Sequence, residues 1–136
     1  MYRLIASVVV GVIVGGLVIG FVEWLSSLVY PLPENMDLMD QEALQAYISE
    51  LPFGALLFII LAWALGSFAG GVVSKIIVMK PTWPSVLTGI ILMGLAVLNM
   101  IFISHPIWFW IAGLLPMLPL AYLGGKIIQY PDYQLR

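Results

Sequence analysis

The 136-residue sequence contains no cysteine and very little charge. Without cysteine, disulfides, thiolate metal sites and thiol catalysis are all excluded. Only 9% of the residues are charged and 62% are hydrophobic, whereas a soluble domain is typically about 25% charged. The composition therefore indicates an integral membrane protein, and the length indicates a single domain over residues 1–136.

The sequence also lacks the short motifs that mark common active sites. It has no G-x-x-x-x-G-K-[ST] phosphate loop, no H-E-x-x-H zinc motif and no G-x-S-x-G nucleophile motif. A single histidine cannot supply a pair of haem ligands, and five Lys and Arg residues make no nucleic-acid surface. We therefore expect no enzyme activity, no cofactor, no metal and no nucleic-acid partner, and we expect the lipid bilayer and itself or other membrane proteins as partners.

Long apolar runs predict four membrane spans, since about 20 apolar residues cross a bilayer. Backbone groups in lipid must be hydrogen-bonded within the protein, so these runs should be helices. Pro84 is expected to precede the third span, and Pro116 and Pro119 are expected to kink the fourth. The predicted fold is an all-α membrane protein with four transmembrane helices, at about 4–30, 53–78, 86–103 and 107–128.

The loop after the first span predicts a short amphipathic helix over about residues 40–51. Leu44, Tyr47, Ile48 and Leu51 recur at i, i+3, i+4 and i+7, the spacing of one helical face. Asp40 is placed to cap the helix N-terminus. Because this helix is acidic, attraction to anionic lipid cannot hold it, so apolar burial at the outer membrane surface or a protein partner should.

The few charges are divided between alternate connections of the chain. The first connection holds acids without any Lys or Arg, and the third holds only His105. Basic residues favour the cytoplasmic side of a membrane, so both termini are predicted to be cytoplasmic and the acidic loop outside. The bases on the predicted cytoplasmic side are Arg3, Lys75, Lys80, Lys126 and Arg136.

Small residues recur along the first two spans at spacings that let membrane helices approach closely. The first span has two such pairs, which point in different directions around the helix at about 100° per residue. The second span carries its own stripe of small residues, so it is expected to be the first helix that packs against span one. The predicted helix-packing residues are Gly11, Gly15, Gly16, Gly20, Ala62, Gly66, Ala69 and Gly70.

Glu23 is the only acid inside a predicted span. It continues the Gly16 and Gly20 stripe, so it is expected to face protein rather than lipid in the outer leaflet. Asn99 lies at nearly the same predicted depth, and Ser27 and His105 complete a candidate polar cluster in the outer leaflet. An ionised carboxylate in a membrane needs pairing, hydration or protonation. Two interpretations stay open: a carboxyl group that hydrogen-bonds neighbouring helices, or a proton carrier, cation site or ligand anchor.

Several short motifs resemble those of a family of small four-span membrane proteins of the bacterial inner membrane, to which no function is assigned. The motifs include the Glu in the first helix, the Tyr-Pro exit at residues 30–31, and "HPIW" from His105. Members of this family often carry His four residues after the Glu, where this chain has Ser27. The resemblance implies a location in the bacterial inner membrane and implies no activity.

Two functional hypotheses follow from the sequence. The favoured one is a structural or interaction protein, either a homo-oligomer or an accessory subunit of a membrane assembly, because packing stripes are abundant and catalytic motifs are absent. The alternative is a small oligomeric transporter or channel that uses Glu23 as a proton- or ligand-binding carboxylate. A lipid-modifying enzyme that uses Glu23 and His105 is a weaker third interpretation.

Overall fold

A computed structural model describes residues 1–129 of the chain, and these residues form helices and connecting loops. In chain order the helices are α1 (Tyr2–Val29), α2 (Gln41–Glu50), α3 (Phe53–Val78), α4 (Trp83–Phe102), α5 (Ile107–Leu114) and α6 (Met117–Ile127). Helices α1, α3 and α4 are each long and apolar enough to span a membrane, and α5 with α6 forms the fourth span over Ile107–Ile127. The predicted all-α membrane fold with four spans is confirmed.

Two of the predicted span starts are wrong by a few residues. The first span begins at Tyr2 rather than at residue 4, and the third begins at Trp83 rather than at residue 86. Pro84 lies inside the first turn of α4 instead of before it. A proline fits there because the first turn of a helix has no intrahelical acceptor for its N–H groups.

The fourth span is broken, as its prolines predict. Helix α5 ends at Leu114, a turn covers Leu115 and Pro116, and α6 begins at Met117. Proline has no N–H group and its ring crowds the carbonyl of the preceding turn, so two prolines three residues apart prevent one regular helix. The bend brings α6 against both α3 and α4.

Helix α3 lies at the centre of the bundle, in contact with α1, α4, α5 and α6. Helices α1 and α6 both pack on α3 and α4, and within the described residues they do not contact each other. Large apolar side chains such as Leu17 and Leu98 remain exposed on the outside of the bundle. Such a surface is suited to lipid, which solvates apolar side chains as well as the protein interior does.

Glycines bring the backbones of α1 and α3 into contact. A Cβ atom at Gly11 would lie 2.8 Å from the carbonyl oxygen of Gly70, and one at Gly15 would lie 2.8 Å from that of Gly66. Any larger residue at these positions would force the helices apart. Of the other small residues predicted to pack on α3, Ala62 is buried and Ala69 is half-buried.

The second glycine pair of α1 has a different environment from the one predicted. Space within 4 Å of a Cβ atom at Gly16 or at Gly20 is empty, so neither residue packs against a helix of the described chain. The stripe expected to face protein therefore has no packed neighbour at these two glycines within the described chain. Gly11 and Gly15 make the internal contact instead, because the rotation of α1 about its axis is set by α3.

A second close contact, which the sequence did not indicate, joins α3 to α6. A Cβ atom at Gly71 would collide with the carbonyl oxygen of Ala121, and one at Gly124 would collide with that of Phe68. The hydroxyl of Ser85 on α4 also donates a hydrogen bond to the Gly71 carbonyl oxygen, at 2.8 Å. Backbone contact at Gly71 therefore fixes three helices relative to one another.

All the described basic residues lie at one end of the bundle, which we call the basic end. Buried Lys75 donates from Nζ to the Lys80 carbonyl oxygen at 2.6 Å and to Oγ1 of Thr82 at 3.3 Å, which holds the α3–α4 loop. Arg3 donates to the Ile77 carbonyl oxygen at 3.2 Å. Arg136 lies outside the described residues. The opposite end, which carries the acidic loop, is called the α2 end.

Candidate functional site

A cavity of about 300 Å³ lies at the α2 end of the bundle, and we call it the α2 cavity. The four residues of the predicted polar cluster, Glu23, Ser27, Asn99 and His105, all line it. They come from α1, from the last turn of α4 and from the α4–α5 loop. The remaining lining residues are Ser26, Tyr30, Leu32, Leu44, Tyr47, Ile48, Leu51, Ala55, Ile59 and Ile103.

Helix α1 supplies its polar residues through helical spacing. Glu23, Ser26, Ser27 and Tyr30 recur at i, i+3, i+4 and i+7 and so share one face. Ser26 is buried, whereas Glu23 is exposed, so its carboxylate lies at the rim of the cavity rather than among packed helices. The Ser27 hydroxyl donates to the Trp24 carbonyl oxygen at 2.7 Å, which leaves its oxygen free to accept from the cavity.

Trp63 of α3 is the side chain that connects this carboxylate to the core. Its indole donates a hydrogen bond to Glu23, while only 4% of the residue is exposed. The indole ring packs edge-on against Phe109, with the ring centres 5.5 Å apart. Trp63 is not among the residues predicted for the cluster, because apolar spacing alone does not distinguish core from lipid-facing aromatic residues in a membrane helix.

His105 presents an acceptor nitrogen to the cavity. Its Nδ1 atom lies 2.6 Å from the carbonyl oxygen of Ile103, and since a carbonyl only accepts, Nδ1 carries the proton in the neutral ring. Nε2 is then an unprotonated acceptor. Burial lowers the pKa of His105, and the hydrogen bond to Ile103 opposes this shift only in part. The ring also stacks on Phe109 with centres 4.6 Å apart, so its orientation is fixed.

Helix α2 covers the α2 cavity with its apolar face. The amphipathic helix predicted for residues 40–51 is confirmed as Gln41–Glu50, and Asp40 caps it by accepting from the backbone N–H groups of Glu42 at 3.0 Å and Ala43 at 3.2 Å. Leu44, Tyr47 and Ile48 all line the cavity. The sequence identified this apolar face but not its destination, because periodicity gives a direction around the helix axis and no position in the bundle.

Tyr30 fixes the point where α1 leaves the bundle. Its hydroxyl lies against Gly54, where a Cβ atom would collide with it, and its ring meets Phe58 edge-on with centres 6.2 Å apart. Pro31 follows directly and ends the helix. The phenol therefore forms one wall of the α2 cavity in a defined position.

The arrangement is suited to binding rather than to metal chemistry. Within residues 1–129, no three His, Asp or Glu side chains lie close enough together to hold a metal ion. What the α2 cavity does offer is one carboxylate, several hydroxyl, amide and imidazole groups, and an apolar cover.

These features define a small multi-pass membrane protein with a polar cavity at one end. Comparisons with protein-family models, curated proteins and solved structures give no match to this chain. Its function is therefore argued from the cavity alone.

Proposed function

We propose that this protein binds a small amphipathic molecule in the α2 cavity, with Glu23 as the anchoring carboxylate. The observation that carries the proposal is that Glu23, Asn99 and His105, from three separate segments of the chain, line one cavity. Polar residues are expensive in a membrane protein and are more often kept for a binding or transport role than scattered at random. A volume of about 300 Å³ lies at the lower end of the range of small-molecule sites.

The packing below the cavity favours binding over conduction. Trp63 of α3 and Leu92 of α4 belong to one buried core cluster and lie further from the α2 end than Glu23, with 4% and 2% of each residue exposed. Buried apolar side chains at this level obstruct the passage of water from the α2 cavity towards the basic end. If the protein were a transporter or channel, its helices would need a second arrangement. Binding needs only the arrangement described.

Protection of a thiol tests this proposal, since the natural sequence has no cysteine to interfere. Ser26→Cys places one reporter thiol in the α2 cavity. In nanodiscs, its reaction with methyl methanethiosulfonate should slow severalfold, and saturably, in the presence of at least one of n-hexylammonium, n-hexanol and hexanoate. The matched control is Leu28→Cys, which is 64% exposed on the outside of the same helix. Protection at neither site, or equal protection at both, would contradict ligand binding in the cavity.

The location proposed for the protein is the bacterial inner membrane, with both termini in the cytoplasm. Placement of the described Lys and Arg residues at the basic end supports this orientation, since cytoplasmic loops carry the excess of bases. The α2 cavity then faces the outer side of the membrane.

A second candidate function, self-association as a homo-oligomer, is favoured by the open face of α1. Gly16 and Gly20 are four residues apart and meet no helix of the described chain, and this spacing allows two identical membrane helices to cross closely. We expect Gly20→Leu to shift the protein from dimer to monomer in crosslinking and light scattering in mild detergent. Gly94→Leu, at another open position on α4, should leave the oligomeric state unchanged. Identical behaviour of the two variants would remove this candidate.

A further inference from the structure

The polar and charged groups around the α2 cavity specify the chemistry of its ligand. Resting on the proposed binding function, we infer that the ligand is a primary ammonium compound with a short apolar body. The inference combines three observations: the hydrogen-bonding roles of the lining residues, the charge distribution of the bundle, and the apolar cover that α2 provides.

The lining groups whose hydrogen-bonding roles are fixed are acceptors. The Ser27 hydroxyl donates its hydrogen bond to the Trp24 carbonyl oxygen, so towards the cavity it can only accept. His105 donates from Nδ1 to the Ile103 carbonyl oxygen, so Nε2 of the neutral ring is an acceptor. In its ionised form, the Glu23 carboxylate accepts hydrogen bonds and cannot donate them. A ligand that matches these groups must bring N–H donors, and an ammonium group brings three.

The charges of the bundle favour a cation at this end. Besides Glu23, the acids Glu34, Asp37, Asp40, Glu42 and Glu50 all lie in or beside the α2 loop. The described basic residues lie at the basic end, separated from Glu23 by most of the length of α1, about 30 Å for twenty residues. At that distance they do not neutralise the carboxylate, because salt screens exposed charges beyond about 8–10 Å. The resulting negative potential attracts cations and repels carboxylates.

Aliphatic side chains form much of the rest of the cavity wall. Leu44 and Ile48 of α2 line the cavity together with Ala55 and Ile59 of α3. Burying a small alkyl or aryl group there contributes about 25 cal/mol per Å² of apolar surface removed from water. The ligand is therefore an amine whose carbon skeleton lies under α2 while its ammonium group meets Glu23.

Competition among matched probes tests the ligand class in the Ser26→Cys protection assay. We expect n-hexylammonium to protect the thiol at about tenfold lower concentration than n-hexanol or hexanoate, the discrimination that a charge-assisted hydrogen bond gives. Hexyltrimethylammonium, which keeps the charge and lacks N–H donors, should protect severalfold less well than n-hexylammonium. Protein-free nanodiscs correct each probe for its partition into lipid.

Removing the carboxylate supplies the second arm of the test. Glu23→Gln in the Ser26→Cys background should abolish the preference for n-hexylammonium over n-hexanol. Glu34→Gln removes one charge from the exposed loop and keeps the anchoring carboxylate, so it should reduce the preference far less than Glu23→Gln does. Equal protection by alcohol and ammonium, or an unchanged preference in Glu23→Gln, would overturn the ammonium assignment while leaving cavity binding in place. Equal protection by hexyltrimethylammonium would overturn the assignment of N–H donors. Failure of every probe would overturn the proposed binding function as well.

Discussion

Gly71→Val should destabilise the bundle by about 3 kcal/mol, at the upper end of what overpacking a core costs. The Cβ atom of the valine would overlap the carbonyl oxygen of Ala121. Because this oxygen belongs to the backbone, it cannot move aside as a flexible side chain can. Relief requires separation of α3 from α6 at the point where their backbones meet. Gly124→Val, on the other side of the contact, should have a similar effect.

The free energy of unfolding in mild detergent, from SDS titration followed by circular dichroism, measures this effect. Gly94→Val is the matched control, because space within 4 Å of its Cβ atom is empty and the change in helix propensity is the same. Its free energy of unfolding should stay within about 1 kcal/mol of the wild type. If Gly71→Val and Gly94→Val unfold at the same SDS fraction, the α3–α6 contact is not as close as described.

Trp63→Ala should remove about 3–5 kcal/mol of stability and also disorder the α2 cavity. The buried indole packs against Phe109, and its six-membered ring lies 3.1 Å from the position of a Cβ atom at Gly113. Its removal leaves a large void between α3 and α5. It also removes the hydrogen bond that positions the Glu23 carboxylate.

Two further variants separate packing from hydrogen bonding at this position. Trp63→Phe keeps a ring in the core and loses the N–H group, so it should retain more stability than Trp63→Ala while altering thiol protection at Ser26→Cys. Trp24→Ala removes an indole that is 56% exposed on α1, and it should change the unfolding free energy little. Equal losses of stability in Trp24→Ala and Trp63→Ala would show that Trp63 is not a core residue.

The features that sequence reasoning predicted well are those set by local chemistry. Apolar length predicts the four spans, and the Asp40 cap with apolar spacing predicts α2. Helical depth also placed Glu23 and Asn99 at nearly one level, and both line one cavity with Ser27 and His105. Rise per residue is nearly constant in a helix, so depth can be counted along the chain even when the neighbours are unknown.

The rotation and pairing of helices could not be predicted in the same way. In a soluble helix the polar face marks the outside, but in lipid the core-facing and lipid-facing sides are both apolar. Gly11 and Gly16 are therefore equivalent in the sequence, and only contact with α3 distinguishes them. The same ambiguity hid the α3–α6 contact at Gly71 and the core position of Trp63. It also hid the placement of α2 over the cavity.

The shallow attachment of α2 has a consequence for how fast the site exchanges its contents. None of its residues is fully buried, and within the described chain its backbone does not pack closely against any spanning helix. Segments of this kind open locally at a small fraction of the free energy that unfolds the whole protein. Backbone amides of α2 would then exchange with deuterium far faster than those of α3. A ligand would then enter and leave the cavity when α2 alone moves away from it, while the four spans stay packed. Such motions of short segments take place in microseconds to milliseconds.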